Sequence, residues 1–135
     1  MASLETVRVT AVQATPVVLD AEATMHKAVE LLHKAAADGA TLVVFPEAFL
    51  SLYPSATWAT AATTWAKGCN ELWERMWSSS VDLRGPLVQQ LVDACAELDV
   101  HAAIGVNERE DDRPGTLYNT LLIVGPRAWC IAIAS

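Results

Sequence analysis

The chain reads as an α/β domain with helices packed on one face of a mixed sheet, and three observations predict it. A β-α-β unit occupies the first third: an alternating strand from Val7 to Gln13, a helix with an apolar stripe, then the run Thr41-Leu42-Val43-Val44-Phe45. Another helix and two strands follow a long insertion. The polar turn Glu110-Asp111-Asp112-Arg113-Pro114-Gly115 makes those two strands an antiparallel hairpin. Finally, 135 residues that are 53% hydrophobic and 19% charged suffice for one packed core. The order β-α-β-insertion-α-β-β is that of helices covering a mixed sheet.

In the first strand Val7, Val9 and Ala11 face one side, and Arg8, Thr10 and Val12 the other; Thr15-Pro16 closes it. Asp20 is placed to cap a helix running to about Asp38. Met25, Ala28, Leu32 and Ala35 form its buried stripe, and Gly39 stops it. The run from Thr41 to Phe45 is rich in β-branched and aromatic residues, which predicts a strand buried on both faces. From Ser55 to Ser80 the periodicity is poor, which predicts an insertion over the strand ends. One short helix falls within it from Asn70 to Trp77. Trp58, Trp65, Trp73 and Trp77 are candidates to line a pocket, although aromatics of this size more often serve packing. Pro86 sits near the first position of the next helix, with Leu87, Leu91, Ala94 and Leu98 as its stripe. Strands from His101 to Val106 and from about Leu117 to Val124 complete the set.

The net charge is −7 with no block of Lys or Arg, which argues against nucleic acid or an anionic membrane as partner. No apolar stretch reaches the length of a membrane span, and the N-terminus lacks the pattern of a signal peptide. Cys69, Cys95 and Cys130 are odd in number and irregularly spaced, as expected of free thiols in a reducing compartment. A cytoplasmic location is the expectation. His26, Glu30 and His33 share a helical face, and Glu30-x-x-His33 matches a metal-ligand spacing. That pattern has no second copy, so a solvated face is expected there, and neither metal nor cofactor. Cys69 lies in the insertion and Cys95 beside a core stripe. Neither adjoins a strand end or a Gly-rich elbow, and no phosphate-binding glycine loop is present.

The segment that concentrates chemistry is the end of the second strand. Pro46 stops the apolar run and Glu47 follows, where α/β folds place ligand sites. Phe45 and Phe49 flank it, so partial desolvation is expected, an environment that suits a carboxylate to act as a general base. Position alone leaves two readings open: a general base, or a surface carboxylate that begins a loop.

Around Glu47 the sequence resembles the nitrilase (carbon-nitrogen hydrolase) superfamily. Gly39 leads, Leu42-Val43-Val44-Phe45 is the strand, Pro46-Glu47 follows, and Tyr53-Pro54 closes the signature. Leu52 stands where that family usually has Gly. The resemblance extends to Val9-Thr10-Ala11-Val12-Gln13-Ala14, to Gly105-Val106-Asn107-Glu108-Arg109 and to Gly115-Thr116-Leu117-Tyr118-Asn119-Thr120. It thus spans about residues 6 to 126 and points to the nitrilase branch. The resemblance implies the N-terminal half of an α-β-β-α sandwich and a Glu-Lys-Cys triad acting on a small-molecule nitrile. In that triad a cysteine thiolate attacks the nitrile carbon, the glutamate is general base and the lysine stabilises developing charge. It further implies Tyr53 as a substrate contact and a homo-oligomer for full-length members. An amidase or a cyanide-degrading relative is the alternative within the class.

Only Glu47 carries over onto this triad. The lysine and cysteine motifs of the family fall beyond Gly125-Pro126, so Lys27, Lys34, Lys67 and Cys130 do not take those roles. The expectation is a partial domain over residues 1–126 that is inactive alone, or a non-catalytic remnant that associates with intact subunits. Residues 127–135 depart from the family's pattern. They can be written CGG GCA TGG TGT ATC GCA ATC GCA AGC, and two bases later the same string reads Gly-Met-Val-Tyr-Arg-Asn-Arg-Lys. That string is what the resemblance leads one to expect on the approach to the lysine, so an out-of-frame tail is the expectation.

Overall fold

The computed structural model describes residues 6–52, 69–127 and 129–134. Trp58 and Trp65 of the expected pocket lie outside them.

Helix α1 (Ala21–Ala37) forms where its caps demand it. Asp20 is extended (φ −132°), and its carboxylate accepts the Ala23 N–H at 2.9 Å. Thr24 Oγ1 donates to the Asp20 carbonyl at 2.7 Å and accepts the Val17 N–H at 3.0 Å, tying the incoming loop to the first turn. At the other end Gly39 takes φ +85°, and its N–H bonds the Ala36 carbonyl. Met25, Ala28, Leu32 and Ala35 are all buried, as the spacing predicts.

Helix α2 (Cys69–Ser78) is the short helix expected inside the insertion. Its Trp73 and Trp77 are half-buried. Helix α3 (Pro86–Leu98) starts at Pro86 and ends at Asp99, which adopts the left-handed conformation (φ 53°) that Asp tolerates. Its buried stripe is Val88, Leu91, Ala94 and Cys95, whereas Leu87 and Leu98 are half-buried. The stripe is therefore rotated from the expected one. The helix is apolar at 87, 88, 91, 92, 94, 95, 96 and 98, a face so wide that spacing alone does not fix its centre.

Among the described residues, five strands form one sheet whose neighbours follow chain order. β1 (Val9–Ala11), β2 (Leu42–Val44) and β3 (His101–Arg109) are parallel. β4 (Leu117–Val124) and β5 (Trp129–Ala134) continue antiparallel, with a register shift between Leu122 and Ile123. The sheet is mixed and the class is α/β. Val43, Ala102, Ile104, Val106, Leu122 and Val124 join α1 and α3 in one apolar core. The opposite face is open: Val9 is 53% and Leu121 39% exposed, and Leu42, Val44, Ala103 and Ile123 are half-buried. β2 is thus buried on one face rather than two. Among the described residues, helices cover a single side of the sheet, and only Val43 of the strand points there.

Cys95 is fully buried in this core, and burial pushes its thiol up to about 11, against a weaker opposing effect of a backbone hydrogen bond from Ala102. Below about 9, the ordinary thiol value from which this shift starts, folded and unfolded chains both hold the proton. Between there and about 11 the unfolded chain releases it first, so stability falls as pH rises through that window. The urea midpoint is expected to drop over this range, and to drop less in Cys95→Ala. Iodoacetamide should label Cys95 only in urea; peptide mapping that finds it alkylated in the folded chain contradicts the burial.

Candidate active site

Glu47 stands on a looped-out stretch of strand. β2 continues past Val44, with the Phe45 N–H bonding the Ala103 carbonyl at 2.8 Å. The Gly105 N–H then bonds the Pro46 carbonyl at 3.2 Å, and the Leu50 N–H bonds the Gly105 carbonyl at 3.1 Å. Both ends of the excursion are therefore fixed to one residue of β3, and Glu47, Ala48 and Phe49 bulge between them. Ala48 turns the corner with φ +46°. A Cβ on Gly105 would lie 2.3 Å from the Ala48 nitrogen and 2.6 Å from the Glu47 Cα, so glycine is the residue that lets the bulge rest on the sheet.

The flanking aromatics point away from Glu47. Phe45 and Phe49 pack together with ring centroids 5.5 Å apart, and both are buried in the helix-side core. The bulge thus divides its side chains, phenyl rings inward and carboxylate outward. Glu47 is exposed in this chain, and the partial desolvation expected from its neighbours in sequence is not met.

Among the described residues, one side chain holds it. Asn119 of β4 donates from Nδ2 to Glu47 Oε1 at 2.6 Å. Asn119 lies directly across from Asn107 of β3 in the antiparallel register, so the two amides share a face. Asn107 Nδ2 donates to the Leu52 carbonyl at 2.9 Å, fixing the chain as it leaves the bulge. Buried Ser51 and Ser79 are hydrogen-bonded at 2.9 Å, which joins the same segment to the end of α2. Arg109 Nη1 donates to the Trp77 carbonyl at 3.2 Å, holding that helix end on β3.

Neither asparagine carries a functional signal of its own in the sequence; each stands within a stretch that resembles the family's pattern. Asn119 is 72 positions from its partner, beyond the reach of any spacing rule. Tyr53, Lys67 and the side chain of Cys130 lie outside what the structure describes. His26, Glu30 and His33 are exposed on α1, and among the described residues no group of three or more His, Cys, Asp or Glu is placed to hold a metal ion. No described helix is long and apolar enough to cross a membrane. A cavity of about 870 Å³ lies between the helices, lined by Asp20, Glu74, Arg75, Asp82, Leu87 and Arg109 among others. Glu47 is not part of it and stands at the open sheet face.

Fold and site together define an α/β protein that presents a carboxylate, held by an amide, at the ends of parallel strands. The carbon-nitrogen hydrolase family model matches residues 8–132, and the chain belongs to that family. It is 35% identical over 119 residues to an aliphatic nitrilase of Rhodococcus rhodochrous, covering 88% of this chain and 31% of that protein. It is 41% identical over 122 residues to a bifunctional nitrilase/nitrile hydratase of Nicotiana tabacum, covering 89% and 34%. The chain thus spans about a third of the length of these relatives. In structure it is similar to a CN-hydrolase superfamily protein of Xanthomonas campestris, with TM-score 0.68 at 20% identity over 98% of this chain and 41% of that one.

Proposed function

We propose that this chain supplies the general-base glutamate of a nitrilase that converts a nitrile to a carboxylic acid and ammonia. The observation that carries the reading is Glu47, exposed at the strand ends and hydrogen-bonded by Asn119, within a sequence similar to nitrilases. A thiol is weakly ionised at neutral pH and needs a neighbouring base. Glu47 takes the proton from a cysteine thiol, and the sulfur adds to the nitrile carbon. The C–S bond forms as one C–N π bond breaks, and the proton passes to nitrogen, where a lysine stabilises developing charge. Water then displaces ammonia from the thioimidate. A second water releases the acid and restores the thiol. The cysteine and lysine of this scheme fall outside residues 1–126.

The test begins with the coding DNA across Pro126. A second reading frame giving Arg-Lys is expected, and a clean single frame without one removes the out-of-frame tail. The 135-residue chain is expected to release no ammonia from a panel of aliphatic, aromatic and inorganic nitriles. The product of the continued frame should release it, and Glu47→Gln should lower kcat at least about a hundredfold. Undiminished turnover by Glu47→Gln, or turnover by the short chain, refutes this placement of the triad. The open apolar sheet face favours a second reading, a non-catalytic chain that associates with intact subunits; co-purification with a full-length family member would support it.

A further inference from the structure

We infer that Asn119 is a positioning residue for Glu47, fixing one carboxylate oxygen so that the other faces the proton to be taken. The inference rests on the general-base reading of Glu47. An exposed glutamate has three rotatable side-chain bonds, and nothing in an open bulge chooses among their rotamers. An ionised carboxylate only accepts hydrogen bonds, so a facing asparagine must present its NH₂ group, as Asn119 does at 2.6 Å. The bond occupies Oε1 and leaves Oε2 without a partner among the described side chains. Asn119 is itself held at a strand position, paired with Asn107 across the hairpin. Asn107 grips the Leu52 carbonyl downstream while Asn119 grips the carboxylate, so adjacent amides clamp the backbone and the side chain of one segment. Because β4 sets this geometry, the carboxylate is aimed before any substrate arrives.

The experiment reads the Glu47 side-chain rotamer directly, from three-bond couplings to its β-methylene protons, in the otherwise wild-type 135-residue chain carrying Val7→Lys and Val9→Lys at its exposed β1 edge to keep it monomeric. This parent chain is expected to show one dominant χ1 rotamer. Asn119→Leu, which keeps the side chain's bulk and removes its donors, should show rotamer averaging. Asn119→Asp, which sets a like charge against the carboxylate, should shift the dominant rotamer. Couplings in Asn119→Leu that match the parent chain's overturn the inference. If that variant does not fold, Glu47→Ala answers instead, since it alters an exposed side chain only. One Asn119 Nδ2 proton should then move upfield, and an unmoved resonance overturns the inference equally. In the product of the continued frame, Asn119→Leu is expected to lower kcat roughly ten- to a hundredfold with KM little changed, the loss of one hydrogen bond to a charged group. Turnover that survives Glu47→Gln defeats the general-base reading, while the couplings still report whether Asn119 holds the side chain.

Discussion

Gly105→Ala is expected to be among the most damaging single-methyl additions to this fold. The new Cβ would meet three backbone atoms of Glu47 and Ala48 at 2.3 to 2.7 Å, and backbone has no rotamer with which to move aside. Either the bulge lifts from β3, losing the Gly105 bonds to Pro46 and Leu50, or β3 is pushed out of the sheet. Overpacking of this kind costs about 1–3 kcal/mol, and each lost hydrogen bond about 1 kcal/mol more. A fall in melting temperature on the order of 10 °C follows for a chain this size, together with loss of the Asn119–Glu47 bond. Gly115→Ala is the control. Gly115 takes φ +89° with nothing within 4 Å, so its substitution strains the backbone without a clash and should cost about 1 kcal/mol. A thermal scan in which Gly105→Ala melts within a degree or two of wild type would show that the bulge does not rest on this glycine.

The second large effect concerns the open sheet face. Val7 and Val9 are 60% and 53% exposed at the β1 edge, and Leu121 is exposed on β4 of the same sheet. Edge strands with apolar faces pair with other chains unless charge or proline interrupts them. At micromolar concentration the chain is expected to self-associate and to bind a hydrophobic dye. Val7→Lys with Val9→Lys should shift it toward monomer, since lysine on an edge strand opposes edge-to-edge pairing. Sedimentation velocity checks this. A wild-type chain that sediments as a monomer with a sharp, cooperative thermal transition would contradict it.

What was legible in the sequence followed from locality. The limits of α1 are written in Asp20 and Gly39, each acting within one turn of itself, and the expected helix matches the observed one closely. β4 also matches, because an acidic turn and a dense apolar run bound it. β3 runs three residues past the expected Val106. Asn107, Glu108 and Arg109 are polar, and they extend because Leu117, Tyr118 and Asn119 pair with them. A strand's length is decided by its partner as much as by its own hydrophobicity. The site divides in the same way. Pro46 and Glu47 mark where a carboxylate is delivered, and the structure puts it at that strand end. The outward turn of that carboxylate depends on Gly105, and its partner is Asn119. Both are contacts between strands distant in sequence, which no local pattern encodes.

The bulge that ends twice on Gly105 bears on how portable this site is. Moving the segment from Thr41 to Tyr53 onto another scaffold would carry the glutamate but not its location. Its two anchor points are main-chain atoms of β3, and its only described side-chain partner is on β4. The smallest transferable unit is β2 with the β3–β4 hairpin beside it, glycine facing the bulge and asparagine facing the carboxylate.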